Sequence, residues 1–293
     1  MVRWASTACP HGCGRGAEPV VTVHNFSYGL LTPVLGYAMS CLGCFLGLRC
    51  TTRAREVQGS SRVRWLLLAG VSIGVAGVWG MHFIAMLGFS IPGQAIRYSV
   101  PVTILSMLIA VVVVSAGLLI VGLGADGMGP LLTGGLIIGL GVASMHYIGM
   151  SAMRIPDAMR YNTGLVAISV IIAILTGTVA LLAALRLDTL WSAFVACLIM
   201  GAAVSGMHYT GMAAMHVYAS PAAHGLAGMQ GGASASSLLV PLIFGISILA
   251  MVMTAAISLS PTKEEIRKEN EFIERIASNY GGHLGPTGVP KGS

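Results

Sequence analysis

Seven stretches of this chain are apolar for longer than a soluble core uses. They run near residues 27–48, 65–90, 99–123, 129–153, 163–185, 190–217 and 237–259. A helix needs about 20 apolar residues to cross bilayer hydrocarbon. Only helices and closed barrels satisfy their own backbone there. The pattern predicts an all-α polytopic membrane protein with seven transmembrane helices. Composition agrees, since only 9% of the 293 residues are charged, against about 25% in a soluble domain. No Asp, Glu, Lys or Arg falls inside the seven stretches. Coupled carriers and ion pumps usually keep such charges within the membrane, so the pattern argues against that class.

The basic residues predict orientation. Arg49, Arg53, Arg55, Arg62 and Arg64 lie between the first two stretches, which makes that connection cytoplasmic by the positive-inside rule. Alternation then puts Arg186 and the tail carrying Lys263, Arg267, Lys268, Arg275 and Lys291 on the same side. The N-terminus and the loops holding Arg97, Arg154 and Arg160 come out external. The net charge of +6 therefore follows topology and implies no nucleic acid. Lipid is the expected partner.

Three regions follow. Residues 1–23 read as a flexible external segment, with an internal translation start at Val23 as the alternative. This segment holds "CPHGC", where Cys9, His11 and Cys13 offer a metal clamp of no recognised spacing. Residues 24–260 form the membrane domain. In 261–293, Thr262 with Glu265 resembles a capping box, and Ile266, Ile273 and Ile276 give a narrow stripe. That predicts a short cytoplasmic helix over 262–278 and a disordered tail. A disulfide framework is not expected, because Cys41, Cys44 and Cys50 share one apolar segment or its end.

The chain repeats itself. His82, His146 and His208 are spaced by 64 and 62 residues, inside "GVWGMHFIAML", "GVASMHYIGMSAM" and "GAAVSGMHYTGMAAM". Each motif sits on the second helix of a pair, so three pairs and one final helix make seven. His82 stands 18 residues beyond Arg64, about 27 Å along a helix. The three motifs thus lie at one depth, near the outer end of the hydrocarbon.

In each copy a Met follows the His by four residues, on the same helix face: His82 with Met86, His146 with Met150, His208 with Met212. Imidazole plus thioether suits copper. The bland alternatives are interhelical hydrogen bonds and proton handling by the histidines, with methionines as packing. A polar group within a spanning helix is a functional candidate by default, and three recurrences at one depth favour ligation. Met81, Met145 and Met207 precede the histidines and project about 100° around the helix, which makes them secondary candidates. His24, just before the first stretch, and Met215 and His216, beyond Met212, are further secondary candidates. Phe83, Tyr147 and Tyr209 read as interfacial belt residues. No nucleophile elbow, phosphate loop or HExxH motif is present, so no enzymatic activity is expected.

"MHYT" at 207–210, "MHYI" at 145–148 and "MHFI" at 81–84 resemble the MHYT domain family of bacterial integral-membrane sensors. The resemblance covers about 24–260. "FSYGLLTP" and "GLRCTTRAR" are similar to its stand-alone actinobacterial members. It implies a seven-helix sensor binding one or two copper ions through His82, Met86, His146, Met150, His208 and Met212, with O2, CO or NO as the gas sensed. Two features depart from the family pattern. The first two motifs end in Ile, and the cytoplasmic cyclic-di-GMP or kinase output domain of many members has no counterpart in this sequence. A separate signalling partner, reached through 262–278, is then implied. Two rival readings stand beside the sensor. A copper or small-solute transporter would need soft ligands at several depths, for which Met107, Met200, Met251 and Met253 are available. A haem protein would use His and Met as axial ligands.

Overall fold

The computed structural model describes residues 21–124, 127–187, 189–218, 232–259, 267 and 271–276. The Cys9–His11–Cys13 segment and most of 262–278 lie outside them. Among the described residues, six helices are long and apolar enough to cross a membrane: α1 Leu31–Glu56, α2 Gly59–Met86, α3 Val100–Leu123, α4 Met128–Ser151, α5 Thr163–Arg186 and α6 Leu190–Ala213. A further helix, α7 Ala235–Leu259, is apolar over Phe244–Leu259. The protein is an all-α multi-pass membrane protein.

Local chemistry starts these helices. Pro101 occupies the first turn of α3, where its missing N–H costs nothing. Asn162 caps α5, its Oδ1 accepting from the backbone of Gly164 and Leu165 at 3.0 and 3.2 Å. Thr189 caps α6 by accepting from Ser192 N at 3.1 Å. Each side chain satisfies backbone donors that a helix start leaves orphaned.

The basic first connection is not a loop. The first helix runs on through Arg49, Arg53 and Arg55, and only Val57 and Gln58 separate it from α2. A helix leaving hydrocarbon keeps its backbone bonds, so charge marks the membrane edge and not the helix end. Arg53 pairs with Glu56 at 3.0 Å. Arg55 donates to the carbonyls of Leu185 and Leu187 at 2.6 and 2.5 Å. It thereby serves the C-terminal end of α5, whose last carbonyls lack helical partners.

The connections after α2, α4 and α6 sit on the opposite face and are knitted together. Strand β1 Arg97–Tyr98 lies between β2 Met153–Arg154 and β5 Ala233–Ser234. Strand β3 Ala158–Tyr161 pairs antiparallel with β4 Met215–Tyr218. The chain ahead of α1 joins this cover, with Val21 N donating to Val217 O at 2.8 Å and His24 bridging Ser90.

Helices approach closely where glycine replaces a side chain. A Cβ on Gly43 of α1 would fall 2.2 Å from the backbone nitrogen of Gly77 in α2. One on Gly139 of α4 would fall 2.3 Å from the Cα of Ile174 in α5. Gly139→Ala is therefore expected to push α4 from α5 and cost ~1–3 kcal/mol, read as a lower unfolding midpoint in detergent. An unchanged midpoint would show that this contact yields.

Two apolar clusters fill the interior. One holds Met81, Met145 and Met207 with most of the helix core. The other holds Met86, Met150 and Met212 with Met153, Met215, Val217 and Tyr98 beneath the strands. The histidines stand where the first gives way to the second.

Candidate metal centre

His82, His146 and His208 come from three helices and meet. Their Nδ1 atoms are 3.1 Å apart for His82–His208, 3.1 Å for His82–His146 and 3.3 Å for His146–His208. The rings stand nearly perpendicular to one another, at 84°, 81° and 89°. None is more than 1% exposed. All three are drawn from equivalent places in the repeat, so the centre has approximate threefold symmetry.

This contact cannot be satisfied by hydrogen bonds. A neutral imidazole has one N–H and one lone pair. If one Nδ1 carries its proton, it can serve both neighbours, but the other two lone pairs still oppose each other. If none does, three lone pairs converge. The protons then sit on Nε2, and the Nε2 atoms of His82 and His146 are buried without a partner. A cation among the three nitrogens removes the conflict. Three nitrogens at ~2.0 Å from one ion with near-tetrahedral angles stand ~3.3 Å apart, and the observed spacing matches. The three histidines are also the one group of His, Cys, Asp or Glu among the described residues that could hold an ion. A haem does not fit, because a macrocycle must lie between its two axial ligands and nitrogens 3.1 Å apart leave no room.

The imidazoles are held by what surrounds them. Each stacks edge-on against the aromatic that follows it, at 4.9 Å: His82 on Phe83, His146 on Tyr147, His208 on Tyr209. Phe83 is buried between His82, Trp79 and Tyr98. It is no interfacial anchor, because Trp79 and the strand cover shield it. Tyr147 donates to or accepts from Ser169 Oγ of α5 at 2.7 Å.

The backs of two of the rings, His82 and His146, rest on a glycine of the next motif. A Cβ on Gly149 would lie 2.6 Å from His82 Nε2, and one on Gly211 2.4 Å from His146 Nε2. Each glycine follows its own histidine by three residues, and Ala85 occupies that place after His82. The sequence signal was present as a small residue fixed in every copy, but spacing alone does not say what the small residue faces.

The methionines four residues on, Met86, Met150 and Met212, are all buried in the cluster under the strands, and Met215 joins them. Met81, Met145 and Met207 are buried on the other side of the histidine layer. His24 and His216 are exposed on the strand-covered face and outside the histidine group. Of the soft side chains considered for a transport path, Met253 is buried and Met251 is exposed. Met200 lines an internal cavity and Met107 a lateral one.

One feature breaks the threefold symmetry. Ser72–Gly80, leading into Met81 and His82, is a π-helix, whereas α4 and α6 are regular through their motifs. Such segments are rare and cluster at functional sites.

Fold and site define a multi-pass helical membrane protein in which each helix pair contributes one histidine to a shared buried centre. The family described as "Bacterial signalling protein N terminal repeat", MHYT, matches residues 76–134 and 139–197. The chain belongs to the MHYT family. The first match contains His82 and the second His146, while His208 lies beyond both. The chain is 33% identical over 272 residues to the cyclic di-GMP phosphodiesterase NbdA of Pseudomonas aeruginosa, covering 90% of this chain and 34% of that protein. It is 33% identical over 193 residues to the bifunctional diguanylate cyclase/cyclic di-GMP phosphodiesterase MucR of the same organism, covering 64% and 28%. It is 29% identical over 203 residues to the signaling protein YkoW of Bacillus subtilis, covering 65% and 24%. The chain thus spans about a quarter to a third of the length of these relatives. No solved structure matches it.

Proposed function

We propose that this protein is a membrane sensory module that holds one copper ion on His82, His146 and His208. The observation carrying the reading is the convergence of three buried Nδ1 atoms at 3.1–3.3 Å with no protonation pattern that satisfies them. Charge favours Cu(I). The ligands are neutral, and no carboxylate joins the group. The cost of burying an ion grows with the square of its charge, so an uncompensated divalent ion is far dearer in low dielectric. Met86, Met150 and Met212 are the thioethers of the site, a donor type that copper accepts readily. Met81, Met145, Met207 and Met215 remain secondary, and the exposed His24 and His216 have no part in it. Copper held there would supply a coordination position for O2, CO or NO.

The arginine-rich face is the cytoplasmic one in this proposal, and the strand-covered face, with the N-terminus, is external. Relatives named as cyclic di-GMP enzymes support a signalling output. Here that output passes to a cytoplasmic partner through 262–278.

The test is metal analysis of the full chain purified in detergent and loaded with Cu(I) under nitrogen. One copper per chain is expected, falling to none when His82, His146 and His208 are all changed to Ala. Retention of zinc in preference to copper, or a Soret band, would overturn the copper assignment. No bound metal under any loading condition would return the histidines to a structural role. Copper uptake into liposomes would favour the transporter.

A further inference from the structure

Val78, Val142 and Val204 each precede a motif histidine by four residues. In the regular α4 and α6 this spacing puts Val142 and Val204 one turn from their histidines on the same face; Val78 lies in the π-helical Ser72–Gly80. All three line the same internal cavity, together with Met207, Met200 and Cys44. The valines are at most 6% exposed. The cavity measures about 30 Å³, where one water needs roughly 10–15 Å³ on the same scale.

Water has little reason to enter. A buried water needs two to four polar partners. The only side-chain oxygen in the wall belongs to Thr176, and its proton is already given to Ile172 O at 2.7 Å, so it offers a water nothing but an acceptor. The Cys44 thiol is a weak donor. Apolar cavities of this kind stay dry and take up apolar guests such as xenon. A space this small excludes anything much larger than a diatomic molecule.

We infer that this valine-ringed cavity is a docking site for a small uncharged gas, with Val78, Val142 and Val204 standing in its wall on the side toward the three imidazoles. The valine ring serves as the gas pocket, and the methionine ring four residues after the histidines closes the opposite side. The cavity stands on its own geometry; its role as a waiting place for a gas bound by the metal rests on the proposed copper centre.

Xenon NMR on the metal-free full chain in nanodiscs tests the cavity without any metal. Saturable xenon binding is expected, lost in Val204→Phe and in Val142→Phe, which fill the space from different helices. Val142→Ala enlarges the space and should tighten xenon binding, which guards against misfolding of the larger variants. In copper-loaded protein, Val204→Phe should leave copper content unchanged and slow CO association several-fold. Absence of saturable xenon in the metal-free wild type, or xenon binding indifferent to all three variants, overturns the inference. Xenon binding in a protein that never takes copper would sink the copper reading and leave the cavity standing.

Discussion

His82→Leu is expected to raise the unfolding midpoint of metal-free protein and to lower that of copper-loaded protein. The sign change is the point of the experiment. Without metal, His82 brings its Nδ1 to 3.1 Å from two others and buries an Nε2 that has no partner. An unsatisfied buried polar group costs ~1–3 kcal/mol. Leucine is of similar size, fills the site and removes both penalties. For a chain of this size each kcal/mol moves the midpoint by roughly 2–4 °C. With metal the balance reverses. A ligand at about 1,000 times its dissociation constant stabilises the folded state by ~4 kcal/mol. The variant forfeits most of that term, because only two imidazoles remain. If the histidines merely tie three helices together, His82→Leu lowers the midpoint in both conditions. That pattern in calorimetry, with and without copper, would end the metal proposal.

The spans were legible because hydrocarbon leaves a chain few options. Every apolar stretch read from the sequence overlaps a helix; most ends shift by a few residues, while α1 runs on to Glu56 and α2 begins back at Gly59. The histidine centre was legible for a related reason. Polar residues are rare in such helices, so three recurring at intervals of 64 and 62 residues stand out, and equal spacing from the helix ends puts them at one depth. What sequence did not give was the surroundings. Arg49, Arg53 and Arg55 look like a loop because they are charged, yet they continue α1. Strands of two to four residues, such as Met153–Arg154 and Ala158–Tyr161, are too short to carry a periodic signal. The π-helical Ser72–Gly80 shares its Gly- and Val-rich composition with the regular parts of α4. Phe83 reads as an anchor because an aromatic at a membrane edge usually is one, and only its packing against His82, Trp79 and Tyr98 shows otherwise.

The small residue three places after each histidine leads to the second large effect. Gly149→Ala and Gly211→Ala are each expected to weaken copper binding by ~10–100-fold, the range seen when groups orienting a metal ligand are changed. The added Cβ would stand 2.6 Å from His82 Nε2 in the first case and 2.4 Å from His146 Nε2 in the second. Neither ring can retreat, because its other nitrogen already touches two imidazoles at 3.1–3.3 Å and its face meets an aromatic at 4.9 Å. The ring must tilt, and a tilt swings Nδ1 off the shared centre. Ala85 provides the control. It holds the same place in the first repeat and already carries a Cβ, so Ala85→Gly relieves nothing and should leave affinity within about threefold, far below the cost of a displaced ligand. The comparison separates positioning from stability, since all three changes are small and all three sites lie in helices. A competition titration with a Cu(I) chelator reads the affinities. Equal losses at Ala85, Gly149 and Gly211 would mean that the glycines matter for helix packing alone. Losses confined to Gly149 and Gly211, with unfolding midpoints of the metal-free proteins little changed, would mean that each motif helix sets the aim of its neighbour's histidine.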